Sequence, residues 1–163
     1  MTLSIQMETN LLSMNKNQTE TAPALLDEEL HFFSHLTKEL SLENSQQAVK
    51  LVSAVLQSLR QTLSLENAEI LLNRLPDFLK LAFATNWKRD EPQVHVDHLD
   101  EFVNLVMDRD NQYRKNMFHD EVQTLSVIIL TLKGLSRLVD LENFEGLSNA
   151  LRQELRGVSE AAA

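Results

Sequence analysis

Apolar residues recur along this chain with the period of an α-helix. Val49, Val52, Val55, Leu56, Leu59 and Leu63 follow the i, i+3, i+4, i+7 spacing of a buried stripe. Asn44 and Gln47 stand at its head in the arrangement of a capping box, which predicts a helix beginning at Asn44 or Ser45. An earlier helix from Asp27 places Leu30, Phe33, Leu36 and Leu40 on one side and ends at residues 41–45. Ser64 is the expected N-cap of a third helix carrying Ala68, Leu71, Leu72 and Leu75. Pro76 then forces a break, and the chain restarts with Phe78, Leu79, Ala82 and Phe83 facing inward. After Trp87, residues 88–96 form the longest internal connection. Asp97 is the expected cap of a short helix with Phe102, Leu105 and Val106 inside; a long helix runs from about Phe118 to Val139, and a last one from Leu141 to about Arg156.

This pattern predicts an all-α fold, a compact helical bundle. Only three Gly and three Pro interrupt 163 residues, too few for the frequent turns of a β-sandwich. Residues 27–157 form the expected single domain. Residues 1–26 are polar and read as a disordered leader, although Leu3, Ile5, Met7, Leu11, Leu12 and Met14 could fold on a partner; residues 158–163 read as a flexible tail.

The most specific signal is an internal repeat. Ser64-Leu65-Glu66-Asn67-Ala68-Glu69 recurs as Asp140-Leu141-Glu142-Asn143-Phe144-Glu145, and Leu71, Asn73, Leu75 and Leu79 continue against Leu147, Asn149, Leu151 and Leu155. Upstream, Phe33 and Leu36 align with Phe102 and Leu105, then Ser53, Leu59 and Arg60 with Ser126, Leu132 and Lys133, if short insertions are allowed. The expected architecture is therefore two helical repeats, about 27–87 and 97–157, packed about a pseudo-twofold.

The long helix Val55-Leu56 to Leu63, the Glu66 to Leu75-Pro76 segment with its Leu-Pro step, the following Trp87 and the Glu101-Phe102-Val103 opening of the second half together resemble the bacterial helical family catalogued as domain of unknown function 2267. The resemblance covers roughly residues 28–157. It implies a helical fold and no established activity, so it transfers no catalytic residue. The second half has Arg152 where the Leu-Pro step is expected, which argues against a matching kink there.

Charge narrows the function. A net charge of −9 with no Lys/Arg run repels phosphate backbones, so nucleic acid is not an expected partner. The strongest apolar stretch, residues 125–132, is far short of the ~20 residues that span a bilayer. The absence of cysteine removes thiol chemistry, and with no basic, apolar secretion signal at the N-terminus the chain reads as cytoplasmic.

Two clusters could bind a metal. Glu28, His31 and His35 share one helix face, and His95 and His98 lie with Asp97 and Glu101 near the start of the fifth helix. The Glu28-x-x-His31 spacing is that of di-iron bundles, but those need a second such motif and this chain has none. An exposed polar helix face explains the first cluster equally well, and capping of a helix start explains the acids of the second. No cofactor motif appears, and His119-Asp120 has no nucleophile in any recognisable arrangement, so nothing argues for an enzyme.

Val127 and Leu130 stand where that alignment gives the first half Ala54 and Gln57, and Leu138 extends the stripe beyond Gly134. A helix apolar on two sides is buried on both or presents one to a partner. The expected function is a non-enzymatic interaction or regulatory module, binding another protein or itself through Val127, Leu130 and Leu138. The rival is a metal- or small-ligand-binding bundle using the Glu28, His31 and His35 face.

Overall fold

The computed structural model describes residues 27–147, 149, 152, 153 and 156. The expected leader and tail, and positions 148, 150, 151, 154 and 155 of the expected last helix, lie outside the described residues. Among the described residues there is no strand, and six helices are described in full: α1 (27–39), α2 (Ser45–Gln61), α3 (Leu65–Arg74), α4 (Asp77–Ala84), α5 (Leu99–Gln112) and α6 (Glu121–Ser136); residues 149, 152, 153 and 156 are helical as well.

Local chemistry sets the helix starts. Asn44 accepts from the Gln47 N–H at 3.1 Å, and the Gln47 side chain reaches back to the Glu43 N–H at 3.0 Å. Two orphan donors at the head of α2 are thereby satisfied. Asp120 and Gln123 repeat the device at α6, with the His119 N–H as the second donor. Ser64 caps α3 through the Asn67 N–H at 3.2 Å. Leu75, preceding Pro76, is extended, so α3 ends and α4 starts at Asp77 with Pro76 in the cap position. At α5 the cap position is held by His98 rather than Asp97, and no side-chain cap bond forms there; Asp97 pairs instead with His95.

α2 is the hub, packed against α4, α5 and α6. Val52, Val55, Leu56 and Leu59 meet Leu79, Phe83, Phe102, Val106, Ile128 and Leu135 in one core. α1 turns Phe32, Phe33 and Leu36 inward, and both rings stand edge-on to Phe78 of α4 at 5.9 Å. Leu30 is not on that inner face: it is 58% exposed, and Phe32 fills its role. Val49 likewise points outward, with Ala48 and Leu51 buried in its stead.

Burial shows a register that letter matching missed. The buried Ala48, Leu51, Val52, Leu56 and Leu59 of α2 stand 76 residues before the buried Thr124, Val127, Ile128, Leu132 and Leu135 of α6. The caps Asn44 and Asp120, and Ser64 and Asp140, share that spacing. Phe32, Phe33 and Leu36 stand 70 residues before Phe102, Val103 and Val106. These spacings differ from those of the upstream sequence alignment by three residues in the long helices and by one in the short ones. Val127 stands 76 positions after Leu51, both buried, whereas the sequence alignment sets it against Ala54. A second difference lies after Asp140, where residues 141–147 form successive turns rather than an α-helix. Asp140 does bond the Asn143 N–H at 3.3 Å, but Leu141 and Phe144 then accept from N–H groups three residues on, at Phe144 and Leu147.

Candidate functional site

The two sets of residues singled out on α1 and α6 meet in one groove. Glu28, His31, Phe32, His35 and Leu36 form one wall, and Leu130, Gly134, Arg137 and Leu138 the other, around a cavity of about 160 Å³. Phe32 and Leu36 belong to the core, and Leu130 and Leu138 are half-buried, whereas Glu28, His31, His35 and Arg137 are exposed at the rim. The helices approach closely because Gly134 has no side chain: a Cβ there would lie 2.8 Å from Cε2 of Phe32. Val127 has no part in this groove. At 1% exposure it lies in the core, and the proposed surface reduces to Leu130 and Leu138.

The metal candidates are less well assembled. His95 Nε2 lies 2.9 Å from an Asp97 carboxylate oxygen, an exposed pair before α5. Glu28, His31 and His35 share the groove, yet among the described residues no three His, Asp or Glu side chains gather into a group able to hold a metal ion.

A second site escaped sequence reading because its centre is two arginines on apolar stripes. Arg60 is one turn beyond Leu56 on α2, and Arg109 continues the Phe102 and Val106 face of α5; they are 2% and 7% exposed. The Arg60 Nη1 donates to the carbonyls of Phe83 at 2.6 Å and Thr85 at 2.9 Å, and Gln57 reaches Ala82 O at 3.3 Å. α2 thus satisfies carbonyls at the C-terminus of α4, where cationic donors are favoured. Asn86, in the left-handed region at φ 59°, turns the chain so that Trp87 lies over the Arg60 guanidinium, 5.6 Å from ring centroid to Cζ. Trp87 also stands edge-on to Phe83 at 6.0 Å, so it closes the core at this end.

Glu91 lies between the two guanidiniums. Its carboxylate accepts from Arg109 Nη1 at 2.8 Å and approaches Arg60 Nη2 at 3.8 Å. Arg109 Nη1 also bonds Gln61, and Tyr113 stacks against the guanidinium at 5.5 Å. Burial lowers the basicity of Arg60, and the charge of Arg109 pushes the same way while Glu91 opposes it. Two buried cations share one carboxylate, and Arg109 Nη2, also buried, has no hydrogen-bond partner among the described residues. Arg109 forms part of the wall of a cavity of about 200 Å³ bounded by α2, the end of α4, α5 and the α5–α6 loop. Asp110, in the same wall, is already engaged: its carboxylate accepts the Met117 and Phe118 N–H groups at 2.9 Å and holds that loop in place.

The fold defined by these observations is a helical scaffold that carries the α1–α6 groove and the cavity beside Arg109. Residues 30–158 match the family described as uncharacterized conserved protein (DUF2267), and the chain belongs to that family. None of the curated proteins compared with the chain matches it. Among the described residues no helix is long and apolar enough to cross a membrane.

Proposed function

We propose that the protein is a non-enzymatic helical module, built from two related halves and working inside the cell, that binds another protein through the α1–α6 groove. The observation that carries this reading is the make-up of the groove: an apolar floor from Phe32, Leu36, Leu130 and Leu138 within a rim of Glu28, His31, His35 and Arg137. An apolar centre inside a polar, solvated rim is the usual anatomy of a recognition surface. A cavity of about 160 Å³ suits a single anchor, since apolar cavities of roughly 150 Å³ accept a benzene ring. The occupant is therefore one aromatic or branched aliphatic side chain on a partner segment. Basic residues beside that anchor would be drawn by the chain's net charge of −9. The common spacing of caps and buried positions in α2 and α6 supports the two-halves reading.

The test compares affinity capture of the tagged protein from its native host, at physiological salt, with capture by Leu138→Glu. A protein that co-purifies near one-to-one with the parent and is lost from a variant of unchanged helicity supports the reading. Capture that Leu138→Glu leaves intact, or recovery of the parent alone, refutes it.

A further inference from the structure

Arg109 presents a physical problem that the interaction reading does not address. A guanidinium taken from water requires its donors to be paired, yet Nη2 has no acceptor and Nη1 shares Glu91 with a second buried arginine. Counting Arg60, Arg109 and Glu91, the buried cluster keeps one excess positive charge. The cavity beside it adds Lys50 and Lys115, while the Asp110 carboxylate opposes them but is committed to two backbone N–H groups. In a chain of net charge −9, this cavity is a local concentration of cations.

We propose that the cavity between α2, α5 and the α5–α6 loop binds a small organic anion, whose carboxylate or phosphate group pairs with Arg109 and is flanked by Lys50 and Lys115. A planar guanidinium matches either group through parallel N–H···O bonds, and the anion supplies the charge and the acceptors that the cluster lacks, reaching the covered Nη2 when the side chains over it move aside. The size of the site argues for an organic body. At roughly 30 Å³ for each water, about 200 Å³ corresponds to around seven waters, more room than a four-oxygen ion fills. Val49, Ala54, Met117 and the Tyr113 ring supply apolar wall for that body, and Ser53, Thr85 and Asn86 supply polar groups. The site shares no residue with the α1–α6 groove, so the two readings stand or fall separately.

Calorimetric titration of the full chain with inorganic phosphate, phenyl phosphate and benzoate, at constant ionic strength, tests this. At least one aromatic anion should bind one-to-one and about tenfold more tightly than inorganic phosphate, a difference of roughly 1.4 kcal/mol. Preference for phenyl phosphate assigns a phosphate ester, and preference for benzoate a carboxylate. Lys115→Gln, at an exposed position, should weaken binding several-fold with its melting temperature unchanged, and Arg109→Lys should abolish the preference because it keeps the charge and loses the fork. Should Arg109→Lys fail to fold, Lys50→Gln provides the second reading with Lys115→Gln. No saturable heat from any probe, binding of inorganic phosphate as tight as that of the aromatic anions, or full affinity in the lysine variants would overturn the proposal.

Discussion

The ring of Phe32 lies against the bare backbone of Gly134, so close that a Cβ on Gly134 would come within 2.8 Å of Cε2 and 3.3 Å of Cδ2. Glycine inside a helix ordinarily costs about 0.5–1 kcal/mol against alanine, so Gly134→Ala would stabilise an isolated α6. Here the ring cannot swing away freely, being fixed edge-on by Phe33 at 5.2 Å and Phe78 at 5.9 Å. The expected net result is a loss of about 1–2 kcal/mol, since overpacking outweighs the helix gain. Urea denaturation measures it, and Phe32→Leu in the same chain should recover most of the loss. A Gly134→Ala protein more stable than its parent would show that the ring yields.

Among the described residues, Glu91 is the carboxylate shared by the two buried guanidiniums. Glu91→Gln leaves Arg60 and Arg109 without a counter-charge, and removing one partner of a buried ionic group typically costs about 3–5 kcal/mol. Because the Glu91 side chain keeps 18% of its exposure, the lower end of that range is expected. The single tryptophan, Trp87, stacks on Arg60 and gives a local readout. Its fluorescence should change in Glu91→Gln under conditions where far-ultraviolet circular dichroism does not.

Thr131 occupies a fully buried position on α6 with a hydroxyl that has no hydrogen-bond partner among the described residues. Burying an unpaired hydroxyl costs about 1–3 kcal/mol on mutational scales. Thr131→Val keeps the branched shape and should stabilise the protein by about 1 kcal/mol, raising the melting temperature by roughly 2–4 °C. A lower melting temperature would mean that the hydroxyl is bonded after all.

Val127 and Leu138 should separate core from surface. Val127→Glu puts a charge in the interior and should abolish cooperative unfolding, whereas Leu138→Glu at the groove edge should retain a folded, cooperative protein with at most about 1 kcal/mol lost. Equal damage from both would make the groove part of the core rather than a surface.

Much of the scaffold is legible in the sequence. The α2 stripe, the Asn44 and Ser64 caps and the Leu75-Pro76 break follow from periodicity and local hydrogen bonding, which the sequence expresses directly. Leu30 and Phe32 exchanged roles because both lie near the apolar side of a short helix, and only the neighbours of α1 decide which is covered. Asp97 was a reasonable cap until His95 competed for its carboxylate. Residues 141–147 have the cap and letters of α3 yet run as turns, with Phe144 close against Gly146 and beneath the Arg74 guanidinium at 5.6 Å. Tertiary contact outweighs local propensity there. The two arginines are hard to read because a charge in an apolar stripe has no local signature of burial: Phe102, Val106 and Arg109 keep the i, i+4, i+7 phase, and that placement of a charge is the available signal.

The halves also differ in how far their first helix lies from their second. Phe33 precedes the Asn44 cap by 11 positions, while Val103 precedes the Asp120 cap by 17. The surplus lengthens α5 past the end of α1's span and widens the link to α6, and it is from this stretch that Tyr113 and Lys115 reach the chamber wall, between Arg109 and Met117. The first half has no such surplus with which to build a duplicate. On the proposed two-halves reading, the chain is expected to have a single vacancy for a guest, and the stoichiometry of uptake should be odd where the architecture is even.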